Sequence, residues 1–147
     1  MKQKIYNHFL GKLDAKIIQL EAKLADLKES GSNETKSTAG DKHETALAML
    51  QIEQANVRKQ MDEALQQRAV MFKIDPAIAA VHIVNGSLVK TNKGYYFICI
   101  AAGKGKVDGI DVTAISSQSP LGNKLIGSGV GDRITINENI FVIESFQ

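Results

Sequence analysis

The stretch LGKLDAKIIQLEAKLADL, residues 10–27, carries a leucine or isoleucine at alternating spacings of three and four. This spacing gives a helix a single apolar stripe, which has to be covered by a partner helix. A looser stripe follows after a polar interval, at Leu47, Leu50, Val57, Met61, Ala64 and Met71. We therefore predict two long helices, from about Ile5 to Glu29 and from about Asp41 to Met71, that pack against each other as an antiparallel coiled-coil hairpin.

The interval between the two stripes places a pair of acids at the far end of this hairpin. Residues Glu29 to Gly40 are rich in Ser, Thr, Gly and Asn and contain no apolar residue larger than Ala39, which predicts an exposed turn. Asp41 and Glu44 follow it directly. An Asp before a helix and a Glu three residues later form a capping box, so the pair has an ordinary structural interpretation.

The pattern changes from helical to alternating near Asp75-Pro76, and we predict a domain boundary there, with residues 1–75 forming the hairpin and 76–147 a second domain. Strands are predicted at Ser87–Thr91, Tyr95–Ala101, Ile110–Ile115, Arg133–Ile136 and Ile140–Glu144, and residues 104–109 as a polar loop. Ser119 can cap a short helix that has Pro120 at its first position and Gly127 at its end. The second domain is therefore predicted to be an antiparallel sheet of four or five strands with one short helix.

Composition excludes several classes of function. The 147 residues carry a formal charge of +2, so the chain is not a polycation built to wrap nucleic acid. Five lysines do crowd the first helix, namely Lys2, Lys4, Lys12, Lys16 and Lys23; a solvated helix surface is their ordinary interpretation. The single cysteine, Cys99, lies in an apolar run and is predicted to be buried and inert. No segment has the features of a signal peptide or a membrane span, which predicts a cytoplasmic protein.

Metal-ligand spacing is absent among the three histidines, His8, His43 and His82, so no histidine-based metal site is predicted.

Two groups of residues together resemble a known family. The first is Gly40-Asp-Lys-His-Glu44 at the hairpin tip, and the second is Ser119-Pro-Leu-Gly122 followed by Leu125-Ile-Gly127 and Val130-Gly-Asp132. This combination, spread over nearly the whole chain, resembles the Gre transcript-cleavage factors of bacterial RNA polymerase. The segment from Ser119 to Asp132 is the more specific part, because it joins three local signals at fixed spacing.

The resemblance implies a fold and a division of roles. The second domain would have an FKBP-like fold and would dock on the rim of the polymerase channel through Ser119, Pro120, Leu121, Gly131 and Asp132. The tip would enter the secondary channel, where Asp41 and Glu44 would help to retain the second Mg²⁺ beside a backtracked RNA 3′ end. The chain would thus act as a monomer that stimulates the polymerase's own cleavage, and not as a free-standing enzyme.

Two alternatives remain open at this stage. Lys42 and His43 stand where the family usually has a Leu-Ser pair, so the chain is alternatively a regulator of the same architecture that occupies the channel without cleavage. The other alternative is a coiled-coil interaction module whose helices pair between chains and whose acids only cap a helix. Prolyl-isomerase activity is not predicted, because the sheet core would consume several of the few aromatic residues.

Overall fold

The computed structural model describes residues 1–35 and 40–147, with side chains described for 1–31 and 44–147. Helix α1 (Lys2–Thr35) and helix α2 (Gly40–Phe72) make up the first half of the chain. At about 1.5 Å per residue, each is about 50 Å long. Helix α1 continues past Glu29, where an exposed turn was predicted, because each added residue gains a hydrogen bond once a helix is established. Residues 36–39 of that turn lie outside the described residues.

The described chain forms two compact units. The hairpin unit comprises Lys12–Arg68, and the sheet unit comprises Met1–Gly11 together with Ala69–Gln147. The predicted stripes are buried within the hairpin unit at Leu13, Ile17, Leu20, Val57 and Ala64. The start of α1 and the end of α2 thus belong with the sheet, whereas the domain boundary at Asp75-Pro76 stays a prediction.

The sheet has six strands. They are β1 (Leu88–Thr91), β2 (Gly94–Cys99), β3 (Gly103–Val107), β4 (Ile110–Ser116), β5 (Arg133–Ile136) and β6 (Asn139–Phe146). Their spatial order is β3-β4-β2-β1-β6-β5, and all neighbours are antiparallel except β2 and β4, which are parallel. The prediction of a purely antiparallel sheet of four or five strands was therefore wrong in strand number and in this one pairing.

The additional strand is β3, which was predicted as part of a polar loop. It pairs with β4 from Gly103↔Ala114 to Val107↔Ile110. The connection is two residues long, and both Asp108 (φ 51°) and Gly109 (φ 79°) have positive φ, as tight hairpin turns require. The strand forms because this turn returns the chain along β4, although its Gly-Lys alternation offers little apolar surface.

Both faces of the sheet are covered within the sheet unit. Helix α3 (Pro120–Leu125) lies on one face. It contributes Leu125 to a buried cluster whose other members are Ile83, Val89, Ile98, Ile134, Phe141 and Ile143. Successive strand residues point to opposite faces, and Phe97 stacks on Phe9 of α1 with ring centroids 6.5 Å apart. The sheet is therefore the middle layer between α3 and the start of α1. The predicted α+β class, a helical hairpin followed by a β domain with one short helix, is confirmed.

Candidate functional site

The acid pair lies in the first turn of α2, which begins at Gly40. Positions 41 and 44 are three residues apart in a helix, so they share one helix face. Glu44 is exposed. The side chains of Asp41, Lys42 and His43 lie outside the described residues. Helix α2 begins one residue before Asp41, whereas a capping box places the Asp ahead of the helix. Capping and metal retention both stay predictions.

The chemistry of the two acids suits a hard cation only in part. Carboxylate oxygens are the ligands that Mg²⁺ prefers, but this ion takes six ligands in octahedral geometry. Within the part of the chain that the structure describes, no three His, Cys, Asp or Glu side chains are grouped so that they could hold a metal ion. Retention of a metal ion by Asp41 and Glu44 therefore stays a prediction.

Contacts between α1 and α2 fix the register of the hairpin. They join Lys23 to Glu53 at 2.9 Å, Gln54 to the carbonyl oxygen of Leu27 at 3.2 Å, and Arg68 to Asp14 at 3.0 Å. Partner numbers on α2 fall as those on α1 rise, so the two helices are antiparallel. A polar side chain at a stripe position, such as Gln54, specifies one register at some cost in stability. The helices pair within one chain, which is the arrangement expected of a hairpin.

The lysines of α1 do not form one free basic face. Lys2 is buried and donates to the carbonyl oxygen of Ile78 at 2.8 Å. Lys4 pairs with Asp108 at 2.9 Å, and Lys23 is held by its partner on α2. Lys2, Lys4 and Lys23, which were grouped on sequence grounds, thus each have a specific partner.

Ser119 and its neighbours build the start of α3, as predicted. The Ser119 hydroxyl oxygen accepts a hydrogen bond from the Gly122 N–H at 3.0 Å, and the Ser119 O–H donates to the carbonyl oxygen of Ser116 at 2.7 Å. Pro120 occupies the first helical position, where its missing N–H costs nothing. Leu121 is half-buried and packs against the apolar cluster. Each of these residues has a structural role, and the docking role stays a prediction.

Gly131 and Asp132 lie in the turn before β5. Gly131 has a φ of 90°, which favours glycine, and its N–H donates to the carbonyl oxygen of Ile143 at 2.8 Å. The Asp132 carboxylate accepts from the Gly129 N–H at 2.9 Å, which closes the turn. These two residues therefore set the path of the chain into the sheet.

An exposed apolar surface beside this turn was missed by the sequence analysis. The Gly127 N–H donates to the carbonyl oxygen of Ile83 at 2.9 Å, so the segment that precedes β1 runs along the end of α3. Four exposed apolar side chains lie within three sequence positions of Ile83 or Gly127. We call them the apolar rim: Val81, Val84, Ile126 and Val130. Val81 is 85% exposed and Val130 64%. Exposed apolar residues that lie near one another mark interaction surfaces more often than scattered ones do. The sequence analysis missed these four because their spacing has no helical or strand period.

Cys99 is buried, as predicted. Burial raises the pKa of its thiol to about 12, although a hydrogen bond with the backbone of Ile100 opposes the shift. The thiolate, which is the nucleophilic form, is therefore disfavoured at neutral pH. Such a thiol suits core packing rather than chemistry.

His8 lies against the edge strand β3. A Cβ atom at Gly105 would come within 2.7 Å of His8 Nε2, so only glycine admits the ring at this distance. The close approach explains a glycine in the middle of a strand.

No protein-family model matches the chain, and no curated protein matches it. Among solved structures, it is similar to one described as the structure of the transcription factor Gfh1. The two chains share 17% identity, the match covers 93% of this chain and 92% of the other, and the TM-score is 0.39. None of the described helices combines the length and the apolar character needed to cross a lipid bilayer.

Proposed function

We propose that this protein is a Gre-type elongation factor that binds bacterial RNA polymerase and stimulates cleavage of backtracked RNA. The observation that carries the proposal is the placement of two acids, Asp41 and Glu44, on one face in the first turn of α2, at the end of an intrachain hairpin. Each helix is about 50 Å long at about 1.5 Å per residue, which suits a probe that reaches into a channel. The resemblance of the tip and of residues 119–132 to Gre factors supports the same function.

In this proposal the chain supplies ligands and the polymerase supplies the active site. Asp41 and Glu44 would complete the coordination of a second Mg²⁺ whose remaining ligands belong to the polymerase and its RNA. The ion, when bound, would supply activation of water and stabilisation of the leaving oxygen. Two carboxylates alone are too few to retain the ion, so the isolated protein should not cleave RNA.

The apolar rim is the part of the sheet unit best suited to docking on the polymerase. Interfaces bury apolar side chains at their centre and keep polar groups at their edge. Val81 and Val130 are the most exposed members of the rim. Val130 directly precedes Gly131, so Gly131 and Asp132 would hold the turn in place while the valines would make the contact.

The cleavage test uses arrested elongation complexes, magnesium and neutral variants of the acids. We expect Asp41→Asn and Glu44→Gln to bind polymerase normally and to release no RNA 3′ fragments, because a neutral amide is a poor ligand for a hard cation. High magnesium should relieve the loss in part. Glu63→Gln, an exposed position of the same helix, is the matched control and should cleave like the wild type.

Full cleavage by both tip variants would refute the role of the acids. Normal binding without cleavage by the wild type would favour the channel-occupying regulator instead.

Docking is tested separately by competition for polymerase. Val130→Ser should bind at least several-fold more weakly, whereas Ile140→Ser, at a 48% exposed position on β6, should bind like the wild type.

A further inference from the structure

A cavity of about 190 Å³ lies in the sheet unit beside the segment that joins α2 to β1. Two polar side chains in its lining are more than nine-tenths buried, since Lys2 is 8% exposed and Ser87 1%. Buried polar groups almost always use their hydrogen-bonding capacity. Donors that remain unused beside a cavity therefore indicate what the cavity can hold.

Lys2 has unused donors. Its ammonium group carries three N–H donors. One of them donates to the carbonyl oxygen of Ile78 at 2.8 Å. None of the ion pairs among the described residues includes Lys2. Burial lowers the pKa of Lys2, while the charge of Asp75 opposes this shift without forming an ion pair. A buried ammonium group without an anionic partner is costly, and a bound anion would remove that cost.

Ser87 offers a second donor to the same cavity. Its hydroxyl oxygen accepts from the Val84 N–H at 3.0 Å. A serine hydroxyl also has one proton to donate, and no acceptor for this proton is found among the described residues. Ser87 therefore has an O–H donor to offer, and it lines the same cavity as Lys2.

The charges around the cavity favour an anion. Lys2 and Lys73 both line it, and Asp75 is the one carboxylate among its lining residues. An oxygen of Asp75 already accepts from the Ala77 N–H at 3.0 Å. The lining therefore has two ammonium groups against one carboxylate, which leaves an excess positive charge.

We propose that this cavity binds a small oxyanion, a phosphate or carboxylate group, between the Lys2 ammonium and the Ser87 hydroxyl. The size agrees, because sites for drug-sized ligands measure about 300–1,000 Å³, whereas this cavity has room for a single oxyanion group. Lysine binds such groups as a point charge with short, charge-assisted hydrogen bonds. The site includes neither the tip acids nor the start of α3, and it shares only Val84 with the apolar rim. Anion binding by the isolated chain can therefore be tested without polymerase.

The test is a titration of the full chain with inorganic phosphate and, separately, with acetate, at constant ionic strength made up with chloride. Amide resonances in NMR spectra provide the readout, and Gly86 and Ser87 should shift in a saturable way. Lys2→Gln should weaken binding by about tenfold, which corresponds to the loss of one charged hydrogen bond. Lys59→Gln, at an exposed lysine of the hairpin unit, is the matched control and should bind like the wild type.

The two anions separate the possible sources of the ligand, since a response to phosphate alone assigns a phosphate group and a response to acetate alone assigns a carboxylate. A chain that responds to neither anion overturns the proposal, as does unchanged affinity in Lys2→Gln. Should Lys2→Gln not fold, Ser87→Ala decides: it keeps the ammonium group but removes the hydroxyl, and it must weaken binding several-fold for the proposal to stand.

Discussion

Two helical glycines of this chain should respond in opposite directions to replacement by alanine. Gly122 is buried in α3, and a Cβ atom there would overlap the carbonyl oxygen of Ser116 and lie 2.9 Å from the Ser119 hydroxyl oxygen. At Gly11 in α1, a Cβ atom would meet no other group within 4 Å. The same substitution is therefore blocked at one position and open at the other.

The magnitudes follow from these surroundings. Alanine is favoured over glycine inside a helix by about 1 kcal/mol, so Gly11→Ala should raise the free energy of unfolding by up to about this amount. At position 122, overpacking costs about 1–3 kcal/mol. Displacing the Ser116 carbonyl would also weaken two hydrogen bonds that it accepts from Ser119, at 3.0 and 2.7 Å. These losses exceed the gain in helix propensity, and we expect Gly122→Ala to lower the free energy of unfolding by about 2 kcal/mol.

Urea denaturation followed by tyrosine fluorescence measures both effects. The three tyrosines, Tyr6, Tyr95 and Tyr96, all lie in the sheet unit, so this signal reports on the unit that contains both glycines. An equal or higher stability of Gly122→Ala would refute the steric argument. A loss of stability in Gly11→Ala would refute the claim that its position is open.

Three further predictions concern the same unit. Ser119→Ala should lower the free energy of unfolding by about 1 kcal/mol in urea denaturation, whereas Ser119→Asp should retain most of it, because aspartate also caps a helix. Phe97→Ala should cost about 3–5 kcal/mol in the same assay, since Phe97 is fully buried against Phe9; a loss below 1 kcal/mol would contradict this packing. Burial raises the Cys99 pKa from 9.0 to about 12, so between these pH values the folded state keeps a proton that the unfolded chain releases. The stability that Cys99 contributes is complete below pH 9, and above this pH the free energy of unfolding falls by about 1.4 kcal/mol per pH unit. Cys99→Ala should reduce the slope of the free energy of unfolding against pH by that amount.

Local signals predicted much of this fold. The leucine stripe of α1 and the Ser-Pro start of α3 were confirmed because each depends on neighbours within one helix. The strand at Arg133–Ile136 was confirmed at its full length, since alternation and a turn define it locally. Strand β3 was missed, although Asp108-Gly109 is a strong hairpin signal, because Gly103 to Lys106 offers no apolar alternation.

Long-range pairings could not be predicted in the same way. The parallel pairing of β2 with β4 joins Tyr95 to Val112 and depends on the path of the whole domain. The burial of Lys2 is similar, because its acceptor, Ile78, lies 76 residues away in the sequence. The cavity beside Lys2 was for this reason not visible in the sequence, where Lys2 appeared as one of several helix-surface lysines.

The residues that carry the family resemblance in the sheet unit also hold that unit together. Ser119 caps α3, Gly131 adopts a positive φ, and Asp132 closes the turn before β5. A variant at any of these positions is expected to change stability, so a loss of polymerase binding there would not identify a contact. Glu44 and Val130 are exposed, and neither belongs to the apolar core. Substitutions at these two positions should leave the fold intact, so they are the ones that would separate the proposed chemistry of the tip from the proposed docking of the sheet unit.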